Sequence, residues 1–214
     1  MSKDLLTYQS AQDYLTSLVP SRDKEMQEME AYADKNNFPI IGATCGYYCY
    51  QLARMIKAKS IFELGSGYGY STAWFAKALR ENGGGVVHHT VWDEKLSQMA
   101  KQHLVKLGSD DLVKFHMSEA VEALKKTDGP FDIIFNDIDK EQYPASLPVI
   151  KEKLRSGGVL IIDNMLWHGD IFDKKDTRPA TEGVREFTKQ ITTDSDWIVS
   201  LVPMRDGMII AYKK

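Results

Sequence analysis

The chain has 214 residues and a mass of 24.3 kDa, enough for one sizeable hydrophobic core, and no break in composition divides it, so a single domain over 1–214 is expected. A hydrophobic fraction of 43% beside 27% charged residues excludes a disordered chain, and a net charge of -3 leaves no basic footprint for nucleic acid. The longest apolar runs fall far short of the roughly 20 residues a membrane span needs, and the first residues lack the apolar core of a secretory signal, so a cytoplasmic location is expected.

From residue 11 to 36 apolar side chains recur at helical spacing (Tyr14, Leu15, Leu18, then Met26, Met29, Ala33), which predicts two amphipathic helices within an N-terminal segment, 1–43, suited to a lid or a dimer surface. A third helix is expected over 44–57. It carries Cys45 and Cys49, the only cysteines, which lack the second pair a zinc site would need and read as ordinary buried thiols. Strand and helix patterns then alternate. Strands are predicted at 60–64, 85–91, 113–117, 131–136, 158–162, 197–202 and 208–212, and helices at 71–80, 94–107, 119–126 and 144–154. Such alternation argues for a parallel sheet covered on both faces. The last two strands are joined only by Pro203-Met204-Arg205-Asp206-Gly207, too short for a parallel crossover, and should form an antiparallel hairpin. The connection 166–180 is long enough to cover a ligand.

Chemistry is concentrated where predicted strands end. Phe131 to Lys140 and Gly158 to Asn164 each run from an apolar strand into carboxylates, and open α/β sheets build their sites at such ends. Asp137, Asp163 and Asn164 supply three hard oxygen donors without a thiolate or histidine partner, a set that suits Mg2+, Ca2+ or Mn2+ rather than zinc. Lys140 stands beside them. Earlier, Glu63-Leu64-Gly65-Ser66-Gly67-Tyr68-Gly69-Tyr70-Ser71 closes the first strand and opens a helix, with glycines that permit a tight turn and a helix N-terminus that offers free N–H groups. A nicotinamide fingerprint would want a third glycine where Tyr70 stands. His88 and His89 are adjacent on a strand and must point to opposite faces, so they cannot ligate together.

Taken together, E-L-G-S-G-Y-G-Y-S, F-D-I-I-F-N-D-I-D-K-E-Q-Y, G-G-V-L-I-I-D-N-M-L-W-H-G and V-P-M-R-D-G-M-I-I-A-Y-K resemble the cation-dependent O-methyltransferases, the group of the catechol and caffeoyl-CoA enzymes, from about residue 39 to the C-terminus. The resemblance implies a Rossmann-like α/β fold: a seven-stranded, mostly parallel sheet with helices on both faces and an antiparallel last strand. It implies S-adenosylmethionine as cofactor, a divalent cation with Mg2+ foremost, a vicinal-dihydroxy aromatic small molecule as acceptor and a homodimer. By position it makes Asp137, Asp163 and Asn164 the metal ligands. Lys140 and Asp137 become the catalytic residues. Glu63, Gly65, Ser66, Gly67, Tyr70, Ser71, Asp93, Glu119, Ala120 and Asp137 become the cofactor-binding set.

One position departs from the family. The acid that would bind the ribose hydroxyls at the end of the second strand is replaced by Val91; Asp93 substitutes only if the loop is bulged or shifted, and Trp92 is placed to stack on the adenine. Lys140 has two candidate roles. It accepts the hydroxyl proton if its pKa falls far below the usual value of about 10.4, or it stabilises the phenolate electrostatically. Rival readings are a tRNA hydroxyuridine methyltransferase of the same family, a nicotinamide oxidoreductase and a non-catalytic cofactor-binding protein.

Overall fold

A computed structural model describes residues 7–214, so residues 1–6 of the expected N-terminal segment lie outside the described residues. Helices α1 (Tyr8–Ser17), α2 (Lys24–Asn36) and α3 (Gly42–Met55) precede an alternating series. It runs β1 (Ser60–Leu64), α4 (Tyr70–Glu81), β2 (Val86–Thr90), α5 (Glu94–Lys106), β3 (Val113–His116), α6 (Ala120–Lys126), β4 (Phe131–Asn136), α7 (Tyr143–Lys153), β5 (Leu154–Ile162), α8 (Pro179–Thr193), β6 (Trp197–Val202) and β7 (Met208–Lys213).

The strands form one sheet in the order β3-β2-β1-β4-β5-β7-β6. β7 inserts between β5 and β6 and runs antiparallel to both, and the other neighbouring pairs are parallel, as the short hairpin connection requires. Chain order reverses between β1 and β4. At that switch point the crossovers leave in opposite directions and a crevice opens at the carboxyl ends of the strands.

Strand alternation sends Ile61, Ile133, Phe135 and Ile161 to one face, where they meet Cys45, Cys49, Phe75 and Leu79 from α3 and α4. Phe62, Leu64, Ile134 and Leu160 point the other way, toward Leu124, Tyr143 and Phe187 from α6, α7 and α8. Because both faces are covered, the central strands read as unbroken apolar runs.

The structure adds α8 to the sequence reading and lengthens β5. α8 follows the long connection, buries Val184, Phe187 and Ile191 and starts with Pro179, whose fixed φ suits a first turn. β5 begins at Leu154 rather than Gly158, with a register shift against β4 between Phe131 and Ile133. The expected N-terminal segment divides: α2 buries Met26, Met29 and Ala33, whereas α1 buries no residue. α1 is tethered through Gln12, whose Oε1 accepts from the Arg205 N–H at 2.8 Å, and through Thr16 Oγ1, 3.1 Å from Thr44 Oγ1. Among the described residues no helix is long and apolar enough to cross a membrane.

Candidate active site

The ladders of the two central strands extend one residue beyond their ends and set the site. The Asp137 N–H donates to Leu64 O at 2.9 Å and the Asp163 N–H to Asn136 O at 3.2 Å, so Asp137 and Asp163 leave adjacent strands side by side. Gly65 makes the approach from β1 possible. Its φ is +82°, and a Cβ there would lie 2.4 Å from the Asp137 carbonyl oxygen.

Asp163 is 2% exposed and its Oδ1 is buried without a hydrogen-bond partner. Burial, and then the charge of Asp137, hold its carboxyl well above the usual carboxylate range. Asn164 follows in a left-handed conformation, φ +59°. Its Nδ2 donates to Asp206 Oδ2 at 3.3 Å, which leaves its amide oxygen free, and Asp206 Oδ1 also takes the His168 N–H at 2.6 Å. Among the described residues no group of three or more His, Cys, Asp or Glu side chains is arranged for a metal. The set here is two carboxylates and an amide. An orphaned buried carboxylate oxygen beside a second carboxylate and a free amide oxygen fits a hard divalent cation, which would repay the desolvation that the pair otherwise bears.

Lys140 is buried beside this pair. Its Nζ donates to Asp137 Oδ1 at 2.7 Å and to Ile138 O at 3.1 Å, and lies 5.0 Å from the Tyr143 ring centroid and 5.8 Å from that of Trp167. Its turn is backed by α8: a Cβ on Gly183 would lie 2.2 Å from the Lys140 carbonyl oxygen. Tyr143 braces the same corner, donating to Asp163 O at 3.0 Å. Trp167 and His168 both have positive φ, +45° and +55°, so the segment after the acid pair is held in a conformation that costs non-glycine residues energy.

On the other side of the switch point, Gly69 is the N-cap of α4 with φ +91° and no side chain caps that end, so its first N–H groups stay open to an anion. Glu63 is fully buried under this turn. Burial pushes its carboxyl up to about 7, against hydrogen bonds from Ser71, Thr72 and Ser66, and its Oε1 has no partner. Thr72 Oγ1 donates to Glu63 Oε2 and lies 2.9 Å from His89 Nδ1, which therefore carries the proton, leaving His89 Nε2 buried and unpaired. His88 points to the opposite face and stacks on His116, ring centroids 5.1 Å apart.

Three of the expected cofactor residues make hydrogen bonds to neighbouring parts of the chain. Tyr70 is 2% exposed and its hydroxyl donates to Glu30 on α2 at 2.6 Å. Glu119 caps α6, its oxygens taking the Val121 and Glu122 N–H groups at 3.0 and 2.7 Å, with Ala120 opening that helix. Asp93 caps α5 by accepting from Leu96 N–H at 2.8 Å. Val91 is 7% exposed, whereas Trp92 beside it is 80% exposed. Thr72, Gly183, Arg205 and Asp206 belong to this neighbourhood without having been singled out from sequence, although the Asp-Gly pair marks the hairpin that delivers the last two.

Residues 17–214 match the family model described as O-methyltransferase. The chain belongs to the O-methyltransferase family. This methyltransferase is 28% identical over 218 residues to catechol O-methyltransferase of Niastella koreensis, an alignment covering 97% of this chain and 98% of that one. It is 26% identical to caffeoyl-CoA O-methyltransferase of Medicago sativa, covering 97% and 90% respectively. The solved O-methyltransferase from Bacillus cereus, in complex with SAH, superposes with a TM-score of 0.86 at 26% identity, covering 96% of this methyltransferase and 97% of that chain.

Proposed function

We propose that this methyltransferase moves the methyl group of S-adenosylmethionine to one hydroxyl of a vicinal-dihydroxy aromatic small molecule, with a divalent cation, Mg2+ foremost, held by Asp137, Asp163 and Asn164. The observation that carries this reading is the unpartnered buried Oδ1 of Asp163 beside Asp137 and the free amide oxygen of Asn164. When bound, the cofactor supplies a sulfonium methyl group, and the cation orients two neighbouring hydroxyls and acidifies one.

The chain's own residues do the rest. The Gly65–Gly67 turn and the open N–H groups of α4 receive the cofactor at the switch point. Lys140, fixed by Asp137 and Ile138, holds a positive charge against the acceptor oxygen as that oxygen releases its proton to solvent, so it favours the attacking oxyanion over the neutral hydroxyl. Trp167 walls a flat ring at that position. α1, which buries nothing and hangs on Gln12 and Thr16, serves as the cover.

Labelled-cofactor assays on a catechol panel, with and without chelator, test the reading. Turnover should vanish in excess EDTA and return with Mg2+, and Asp163→Ala should lose that response. Lys140→Met should lower kcat about 100-fold or more while changing S-adenosylmethionine affinity little, because it acts on the acceptor oxygen and not on the cofactor. Full activity in EDTA would overturn the metal role; equal losses in kcat and cofactor affinity would make Lys140 structural.

A further inference from the structure

The tip of the β6–β7 hairpin carries a residue that the proposed chemistry leaves unused. Arg205 has φ +47°, a left-handed backbone that favours glycine, and it is held there from three sides. Its N–H donates to Gln12 on α1, its Nη1 donates to Ile40 O at 2.7 Å, and its stem crosses Gly42, where an added Cβ would sit 3.5 Å from Arg205 Cδ. The charge of the guanidinium acts on Cys45, Asp163 and Tyr8. The side chain therefore stands between the acid pair, the start of α3 and the α1 cover.

Its partners are unusual for this molecule. The chain has seven arginines, and six are in ion pairs: Arg22 with Glu30, Arg54 with Glu81, Arg80 with Asp111, Arg155 with Asp132, Arg178 with Asp170 and Asp176, and Arg185 with Glu182. Among the described residues no carboxylate oxygen lies within 4.0 Å of Arg205. A half-buried guanidinium offers five N–H donors in a planar fork. Here one carbonyl accepts from the group, while the backbone is held in a left-handed turn that keeps it in place. A half-buried guanidinium whose nearest carboxylates lie beyond ion-pair distance keeps donor capacity to spare, and the geometry that uses it best is bidentate pairing with a carboxylate.

We propose that Arg205 is the carboxylate receptor of this active site, pairing with an acid group of a bound small molecule. The inference rests on the proposed methyl-transfer reading and narrows its ligands. Two molecules of that reaction can present such a group: a dihydroxyaryl acceptor bearing an acidic substituent, and the amino-acid end of the cofactor. The chemistry at the guanidinium is the same for both.

Calorimetry in Mg2+ on the parent, Arg205→Gln and Arg205→Gly separates them. Arg205→Gly suits the left-handed turn and so preserves the hairpin. Two pairs of probes are titrated: 3,4-dihydroxybenzoate against catechol, and S-adenosylhomocysteine against 5′-methylthioadenosine, which lacks the carboxylate. Both variants should lose about tenfold or more in affinity for the acid member of one pair, with less than about threefold change for its uncharged partner, the loss expected for one charge-assisted bidentate contact. The pair that responds identifies the source of the carboxylate. Equal losses for charged and uncharged members, or no loss in either pair, overturn the role of Arg205 alone. If the parent binds none of the four probes, the methyl-transfer reading itself falls and takes this inference with it.

Discussion

The turn after β1 and the tip of the β6–β7 hairpin flank the same crevice, yet they are built in different ways. The first is local. Gly65, Gly67 and Gly69, all with positive φ, sit within five residues, and their backbone supplies the turn, the close approach to β4 and the open helix end. The second is assembled at long range. Asp206 reaches Asn164 and His168, 42 and 38 residues away, and Arg205 reaches Ile40 and Gln12, 165 and 193 residues away. A site half made from backbone tolerates side-chain drift around it. A site half made from side chains brought together by the fold depends on every element that braces them.

The sharpest way to break this contrast is at Gly183, which lies on α8 and touches no ligand position. Its missing Cβ lets α8 press against the Lys140 turn, and the added methyl of Gly183→Ala would need backbone to move by an ångström or so. Overpacking of that kind costs about 1–3 kcal/mol in stability, and displacing Lys140 by a similar distance should lower kcat on the order of 100-fold. Cofactor affinity should stay within about threefold, because the β1 turn is untouched. Steady-state kinetics with calorimetry of the cofactor checks this. A variant with parental kcat would show that Lys140 is placed without help from α8.

The same contrast governs what could be read from the chain. The β1 turn was legible because its glycines declare a backbone requirement in adjacent letters. The acid pair was legible because Asp137 and Asp163 each end an apolar run, and strand ends at a switch point are where ligands bind. Tyr70 was assigned to the cofactor pocket on its place in the turn, but its hydroxyl is taken by Glu30, a residue on a helix whose docking no local pattern reveals. α8 was missed because Gly183 and four threonines lower its helix propensity, so that Val184, Phe187 and Ile191 are its main mark. Arg205 carries no local signal. Its meaning comes from which carboxylates are absent around it, a property of the folded chain alone.

A second prediction concerns the buried acid beneath the local half. Glu63 has a folded-state pKa raised to about 7 by burial, above the value near 4.3 expected in the unfolded chain. The unfolded state releases its proton first, so stability is full below about pH 4 and declines as pH rises toward 7. Glu63→Gln removes that ionisation. The ligand-free variant should therefore gain stability over the parent, by on the order of 2–3 kcal/mol at pH 8, with the difference shrinking toward zero near pH 4. Denaturant melts across that range check the sign. A variant that loses stability equally at both ends would mean that the hydrogen bonds from Ser66, Ser71 and Thr72, rather than the charge, dominate at Glu63.

The smallest expected effect sharpens the contrast at the end of β2, where the family places an acid for the ribose and this chain has Val91. Asp93 is the only carboxylate of the Val91–Asp93 stretch, and its Oδ1 is already engaged as the N-cap of α5 through Leu96 N–H. Removing a cap of this kind costs about 1 kcal/mol of stability. Asp93→Ala should therefore lower the unfolding free energy by about that much while leaving the S-adenosylhomocysteine dissociation constant within about twofold of the parent. Val91→Asp should do the opposite, tightening the complex through charge-assisted bonds to the ribose hydroxyls, although the valine is buried and the new carboxylate must be repaid by the ligand. If Asp93→Ala instead weakens the ligand by about tenfold with stability unchanged, the free oxygen of Asp93 serves the ribose, and the end of β2 would join the hairpin as a part of the site whose function the fold, rather than the adjacent letters, decides.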